Sequence, residues 1–426
     1  MLARFDLRSD DAALERAVAG NGAPDGVRDA VAAIIADVRA RGDEALLDYT
    51  ERFDRVRLDS VTLDRTELER ARADVAPDLL DALAVAHDQI LSYHERQRPA
   101  ADDHAQRGVH VHDTAVPVDG AGLYVPGGRA DYPSTVLMTA VPARVAGVGR
   151  IVLCAPPGPD GRPPAATLAA ASIAGVDTVL RVGGAQAIAA LAFGTESVAA
   201  VDVIVGPGNA YVAEAKRQVL GQVGIDAIAG PSELVVVADG ASDPRLVAAD
   251  LLAQAEHGPG GRAVLVSWDP STLDAVDREL DALLGSAPRA DDARATLGTG
   301  GRGILVRDPD HAMVVANRLA PEHLQLMNSD ADALVPLVRN AGAVFVGPWA
   351  PAVVGDYVAG TNHVLPTGTT ARFASALRVD DFVKHIHIVR LDADALQAVG
   401  PAAITIARAE GLAAHAQSIE LRGVQA

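Results

Sequence analysis

Seven short apolar runs decide the fold: Arg150–Pro157 (RIVLCAPP), Asp177–Gly184 (DTVLRVGG), Asp202–Gly208 (DVIVGPG), Glu233–Gly240 (ELVVVADG), Arg262–Trp268 (RAVLVSW), Arg302–Asp308 (RGILVRD) and Gly342–Pro348 (GAVFVGP). Each is rich in β-branched residues, most are closed by Gly or Pro, and most are followed by an Ala/Leu-rich stretch of helical period. That alternation predicts βαβ units and parallel sheets, an α/β fold. Tight loops at the strand ends, such as Gly183-Gly184 and Gly206-Pro207-Gly208, are where ligands and chemistry are expected. Working outward, residues 27–54 and 79–97 keep a 3.6-residue period with mixed charge, which predicts a helical lead-in. Toward the other end, KHIHIVRLD (384–392) reads as a short strand and residues 401–422 as helix, so a small C-terminal element is expected. No repeat with a period of about 20 to 50 residues interrupts this pattern.

Composition narrows the function classes. The chain has 426 residues, 49% of them hydrophobic, which is enough for two to three domains of roughly 150 residues each. Lys and Arg number 37 against 56 Asp and Glu, a net charge of −19 that repels phosphate backbones and anionic lipid alike. Aromatics are only 3%, leaving few rings to stack on bases or to anchor at a bilayer. No nucleic acid and no membrane partner is therefore expected. The single cysteine, Cys154, excludes an intramolecular disulfide and any multi-thiolate metal cluster. It ends an apolar run and is expected to be a buried structural thiol. The opening MLARFDLRSDD is charged from its fourth residue and has no apolar leader run, so a cytoplasmic location is expected.

Four segments bring together side chains capable of chemistry. In SDPRLVAADLLAQAEHGP (242–259), Ser-Asp-Pro starts a helix and Gly-Pro stops it, so Gln254 and His257 share a face near its C-terminal end. They could hold a borderline cation such as zinc, or His257 could simply meet the last helix carbonyls. In GDYVAGTNHVLPTG (355–368), Asp356 and His363 are expected on a loop, as a metal carboxylate with a neighbouring imidazole or as a turn cap with a half-buried ring. In APEHLQL (320–326), Pro321 favours a turn or a first helical position. Glu322 and His323 are therefore expected side by side near an exposed element start, able to divide proton transfers. Glu410 and His415 in AEGLAAH are five apart, about 140° around an ideal helix. For a dinucleotide, DVIVGPGNAYVAEAK (202–216) gives strand, Gly206-Pro207-Gly208 and helix, with Asp226 twenty residues past Gly206 at the place of a ribose-binding acid. Tyr211 stands where the third glycine of that fingerprint belongs. His87, His94, His104, His110 and His112 have charged neighbours and are read as surface residues, and His385 and His387 are given no role.

Taken together, GLYVPGGRADYPSTVLM (122–138), VGPGNAYVAEAK (205–216), GPSELVVVAD (230–239), DLLAQAEH (250–257), APEHLQL, DYVAGTNHVLPTG (356–368) and AEGLAAH (409–415) resemble the histidinol dehydrogenase family, in that order, and VRARGDEALLDYTERFD (38–54) is similar too. The resemblance implies two incomplete Rossmann-like domains with small terminal elements. Residues 1–20 would form an N-terminal arm, 21–121 plus 236–377 the first domain, 122–235 the second, NAD-binding domain, and 378–426 a dimer-swapped element. It implies a zinc-containing, NAD-dependent homodimer that oxidises L-histidinol to L-histidine through bound L-histidinal. One Zn2+ per subunit would be held by Gln254, His257, Asp356 and, from the other subunit, His415. Glu322 and His323 would be the proton acceptors. Substrate would touch Ser232, His323, the zinc ligands and, across the interface, Glu410, while NAD would contact Tyr124, Gln186 and Asn209. A related NAD-dependent dehydrogenase of the same scaffold, acting on another small diol or amino alcohol, is the alternative.

Overall fold

The computed structural model describes residues 1–9, 14–15, 26–63, 65–128 and 130–425. These divide into a large unit, residues 1–97 and 119–382, and a small one, residues 98–118 and 383–426. Among the described residues no helix is long and apolar enough to cross a membrane.

The large unit carries two six-stranded sheets. The first is wholly parallel, in the spatial order Ala3–Asp6, Gly301–Leu305, Arg262–Ser267, Glu233–Val237, His323–Leu326, Ala343–Val346. Its central strands are unbroken apolar runs because helices cover both faces. Val236, Leu265 and Leu234 face the helices Pro244–Ala255, Pro270–Leu284 and Ala290–Gly300, while Val235, Val237, Val264 and Val266 face the helix Pro309–Leu319. The second sheet runs Thr62–Leu63, Thr178–Leu180, Arg150–Cys154, Gly120–Tyr124, Val203–Val205, Gly224–Ile225 and is parallel except at Thr62–Leu63. All seven runs that open the sequence reading thus contribute a strand, three to this sheet and four to the first.

The lead-in is helical, as its period predicts. In the helix Val27–Arg41, Val27, Val31, Ile34, Ile35 and Val38 form one buried stripe. That stripe packs on the second sheet, in one core with Ile188, Leu191, Ile204 and Val212. The packing therefore differs from the grouping of residues 21–121 with 236–377, and the boundary at 121/122 falls inside the strand Gly120–Tyr124. The physical reason is that a stripe of 3.6 period says which face is buried without saying against which sheet. Of the expected arm 1–20, Ala3–Asp6 is an edge strand of the first sheet, while residues 10–13 and 16–20 lie outside the described residues.

The small unit is a three-stranded antiparallel sheet, Val383–Arg390 beside Val109–Pro117 beside Asp102–Gln106, with the helices Ala393–Ala409 and Ala413–Glu420. Ile404, Ala407, Ala416 and Val424 make its core. His104, His110, His385 and His387 are exposed on these strands and His112 is half-buried. His94 is a correction: it lies fully buried in the helix Pro77–Glu95, its Nδ1–H donating to the Ile90 carbonyl at 2.8 Å. Burial depresses its pKa, so an internal neutral imidazole stands where charged neighbours in sequence suggested a surface residue.

Candidate active site and dinucleotide pocket

The reactive side chains gather at the amino ends of the first sheet. Leu234 and His323 are in register on adjacent parallel strands, which sets Glu322 beside Glu233, within reach of Ser232 one residue further back. Pro321 therefore precedes a central strand, not a helix or an exposed start, and both Glu322 and His323 are buried. The alternating His-Leu-Gln-Leu pattern, buried on both faces, outweighs the local preference of proline.

Glu322 Oε2 accepts from Ser232 Oγ at 2.7 Å and from the Glu233 backbone N–H at 2.9 Å. Ser232 Oγ also stands 3.2 Å from Gln254 Oε1, so one hydroxyl proton serves two acceptors. His323 Nδ1 lies 3.1 Å from the Glu233 carbonyl, which can only accept, so Nδ1 carries a proton and Nε2 faces Asp356 Oδ1 at 3.7 Å. Burial opposes charge on this ring, but the carboxylates of Glu322 and Asp356 override it and its pKa is pushed up to about 9. Burial likewise opposes charge on Asp356, and the imidazoles of His323, His363 and His257 hold it below the ordinary carboxylate range.

Asp356 sits on the short helix Ala352–Tyr357, where its composition suggested a loop. The helix is brief enough for glycine-rich flanks to mask its period. His363 Nδ1–H donates to the Asp356 carbonyl at 3.0 Å and its Nε2 accepts from Thr135 Oγ1 at 3.1 Å. Gln254 is in the last turn of the helix Pro244–Ala255, whose Asp243 cap accepts the Arg245 N–H at 2.9 Å. His257 lies two residues beyond, its Nδ1–H shared by the Ala253 and Gln254 carbonyls at 3.2 Å each. That leaves its other nitrogen for a ligand. Glu233 is an acid the sequence reading missed. It is buried, its pKa pushed up to about 7 by that burial against Arg262 at 3.8 Å, and it accepts the Gly368 N–H at 3.2 Å. Its place directly after Ser232 was the available signal.

The second gathering lies at the carboxyl ends of the other sheet, around a cavity of about 1330 Å³ lined by Asp54, Tyr124, Gln186, Asn209 and Tyr211 among others. Tyr124 ends its strand, and its hydroxyl accepts the Gly184 N–H at 2.9 Å. Gln186 is in the first turn of the helix Gly184–Phe193, buried, with Oε1 lacking a partner. Asn209 caps the helix Ala210–Val219, Oδ1 accepting from Tyr211 N at 3.0 Å and Val212 N at 3.2 Å, which leaves its amide NH2 for a ligand. Helix starts that point into such a cavity suit a dinucleotide's phosphates through their dipoles.

Comparison with known proteins places this architecture. A family-wide sequence profile described as histidinol dehydrogenase matches residues 20–423. The chain is 53% identical to the histidinol dehydrogenase of Rhizobium meliloti over 395 residues, 92% of this chain and 91% of that one. It is 50% identical to that of Gluconobacter oxydans over 403 residues, 93% of each. The crystal structure of histidinol dehydrogenase from Elizabethkingia anophelis superposes with a TM-score of 0.95 at 33% identity, covering 99% of this chain and 98% of that one.

The chain belongs to the histidinol dehydrogenase family. Its two Rossmann-like sheets are the fold that the resemblance implied. Gln254, His257 and Asp356, the ligands the resemblance implied, all belong to the large unit. Among the described residues no three His, Cys, Asp or Glu side chains converge as a ready metal cage. The amide, imidazole and carboxylate offered fit zinc in donor chemistry. Turning the buried Gln254 amide over puts its oxygen where the partnerless Nε2 stands and its NH2 beside Ser232 Oγ, freeing the oxygen for a metal. Glu410 and His415 stand in the small unit, at the end of Ala393–Ala409 and on Ala413–Glu420, both exposed.

Proposed function

We propose that this chain oxidises L-histidinol to L-histidine, the last step of histidine biosynthesis, by two successive hydride transfers to NAD through L-histidinal that never leaves the site. The observation that carries the reading is the network Ser232–Glu322–His323–Asp356, in which the buried pair Glu322 and His323 can handle protons beside the half-buried Asp356 carboxylate. Zinc, one per subunit, would hold the substrate's imidazole and amine, and NAD would take the hydride. Gln254, His257 and Asp356 would hold the metal with the partner subunit's His415, and the partner subunit's Glu410 would contact the substrate, which makes the working form a homodimer in the cytoplasm.

His323 is suited to take the alcohol proton once its ring is neutral, above the raised pKa or when a cation takes up the Asp356 carboxylate that favours its charge. Nδ1 is fixed on the Glu233 carbonyl, and Nε2 is then the free acceptor. Glu322 is suited to deprotonate the water that adds to the aldehyde. Its Oε2 is engaged by Ser232 and the Glu233 N–H, which aims the other oxygen. Tyr124, Gln186 and Asn209 would bind NAD at the carboxyl ends of the second sheet, making residues 122–235 the dinucleotide half and the first sheet the catalytic half. Each L-histidinol consumed should yield two NADH with no free aldehyde. A ratio of one with histidinal accumulating would reject the reading.

A further inference from the structure

Lys216 is 1% exposed, among the largest fully buried side chains of the chain. A buried ammonium is tolerated only when paired and hydrogen-bonded. Its Nζ donates to Asp226 Oδ1 and, at 3.0 Å, to the Gly206 carbonyl, while Asp226 Oδ2 accepts the Gly206 N–H at 2.7 Å. One ion pair thus satisfies both backbone polar groups of a single residue at the end of the strand Val203–Val205. Gly206 has φ +112, and a Cβ there would stand 2.1 Å from the Tyr124 carbonyl oxygen. The loop is therefore seated tightly on Tyr124 at one end, and at the other it delivers Asn209 to the helix it caps. Neither Lys216 nor Asp226 lines the cavity.

Asp226 occupies the sequence place of a ribose-binding acid, but its carboxylate is spent on Lys216 and on Gly206, so that place holds no ribose ligand. We propose that the buried Lys216–Asp226 pair is a positioning device that sets dinucleotide affinity, by clamping Gly206–Asn209 so that Asn209 and Tyr124 keep one spacing. This rests on the reading of that cavity as the NAD site. The pair acts on binding and leaves the chemistry at Glu322 and His323 untouched.

The test compares K216M, D226N, the double variant K216M/D226L and N209D in the intact zinc-loaded enzyme. KM for NAD, KM for L-histidinol, kcat at saturation, calorimetric Kd for NADH and the melting temperature are measured for each. The double variant removes both charges, so it leaves no lone buried ion and decides the matter even where a single variant fails to fold. The expected result is a rise of about tenfold in KM for NAD and in Kd for NADH, with kcat within about twofold and KM for L-histidinol unchanged. A double variant that melts like the parent and binds NADH normally, while N209D binds it weakly, overturns the inference alone. If N209D, which keeps the cap oxygen and loses the amide donor, also binds NADH normally, the reading of the cavity falls and the inference with it.

Discussion

Oxidation of an aldehyde commonly proceeds through attack by a cysteine, and Cys154 is the only thiol in the chain, so Cys154→Ala tests the water-addition route directly. The thiol ends the strand Arg150–Cys154, in register with Tyr124, and is 0% exposed in a core with Val152, Leu180 and Val182. Burial pushes its pKa far above the ordinary thiol range, so at neutral pH it is neither ionised nor reachable. Removing one buried heavy atom resembles trimming a methyl group, with a cost of about 0.5–1.5 kcal/mol. For a large cooperative unit that lowers the melting temperature by about 2–4 °C per kcal/mol. The variant should therefore melt a few degrees lower while producing NADH from L-histidinol and from supplied L-histidinal at the parent rate. Iodoacetamide should leave the native parent enzyme active and label Cys154 only after unfolding. A folded Cys154→Ala protein that has lost oxidation of L-histidinal would refute the reasoning.

Three further outcomes are expected. His323→Asn should retain zinc while turnover falls by about 10²-fold or more, and an equal loss of metal would make the imidazole a ligand instead. Asp54 lines the cavity at the carboxyl ends of the second sheet with Oδ2 buried and partnerless, and burial pushes its carboxyl up to about 6. A raised carboxyl pKa stabilises the fold at low pH and loses that contribution as pH rises through the folded value. Asp54→Asn should thus melt above the parent at about pH 8, with the gap closing toward about pH 4, and a pH-independent gap would reject burial as the cause. Mixing inactive His415→Ala and His257→Ala proteins should restore activity toward about half the parental value per heterodimer, because one of its two sites then carries neither lesion. Proven subunit exchange without recovery would assign His415 to its own chain's site.

The strands and the helical lead-in were legible because each carries its own period, as the stripe Val27, Val31, Ile34, Ile35, Val38 illustrates. Gln254 was legible for the same reason, lying in one helix with clear capping signals, and His257 follows in the turn just past its end. What the chain hid depends on pairing distant in sequence. Only the register of Leu234 with His323 shows that Pro321-Glu322-His323 opens a buried strand and joins Ser232, ninety residues earlier by the Ser232–Glu322 bond. The spacing of Asp226 matches a fingerprint without revealing that Lys216, ten residues before it, consumes the carboxylate. The expectation that ligands gather beyond the carboxyl ends of strands suits Tyr124, Gln186 and Asn209, and the amino-end cluster of the first sheet departs from it.

That departure leaves the opposite rim of the first sheet without reactive duties. There Asp239 accepts from the Ser329 N–H at 3.0 Å, Ser242 donates to the Met327 carbonyl at 2.9 Å, and the turn at Arg307 and Asp308 is exposed. For protein engineering this is a handle. A peptide tag or a fluorescent reporter inserted between Arg307 and Asp308, ahead of the cap that Asp308 gives to the His311 N–H at 2.8 Å, enters the scaffold at the rim opposite the Glu322–His323 cluster of that sheet.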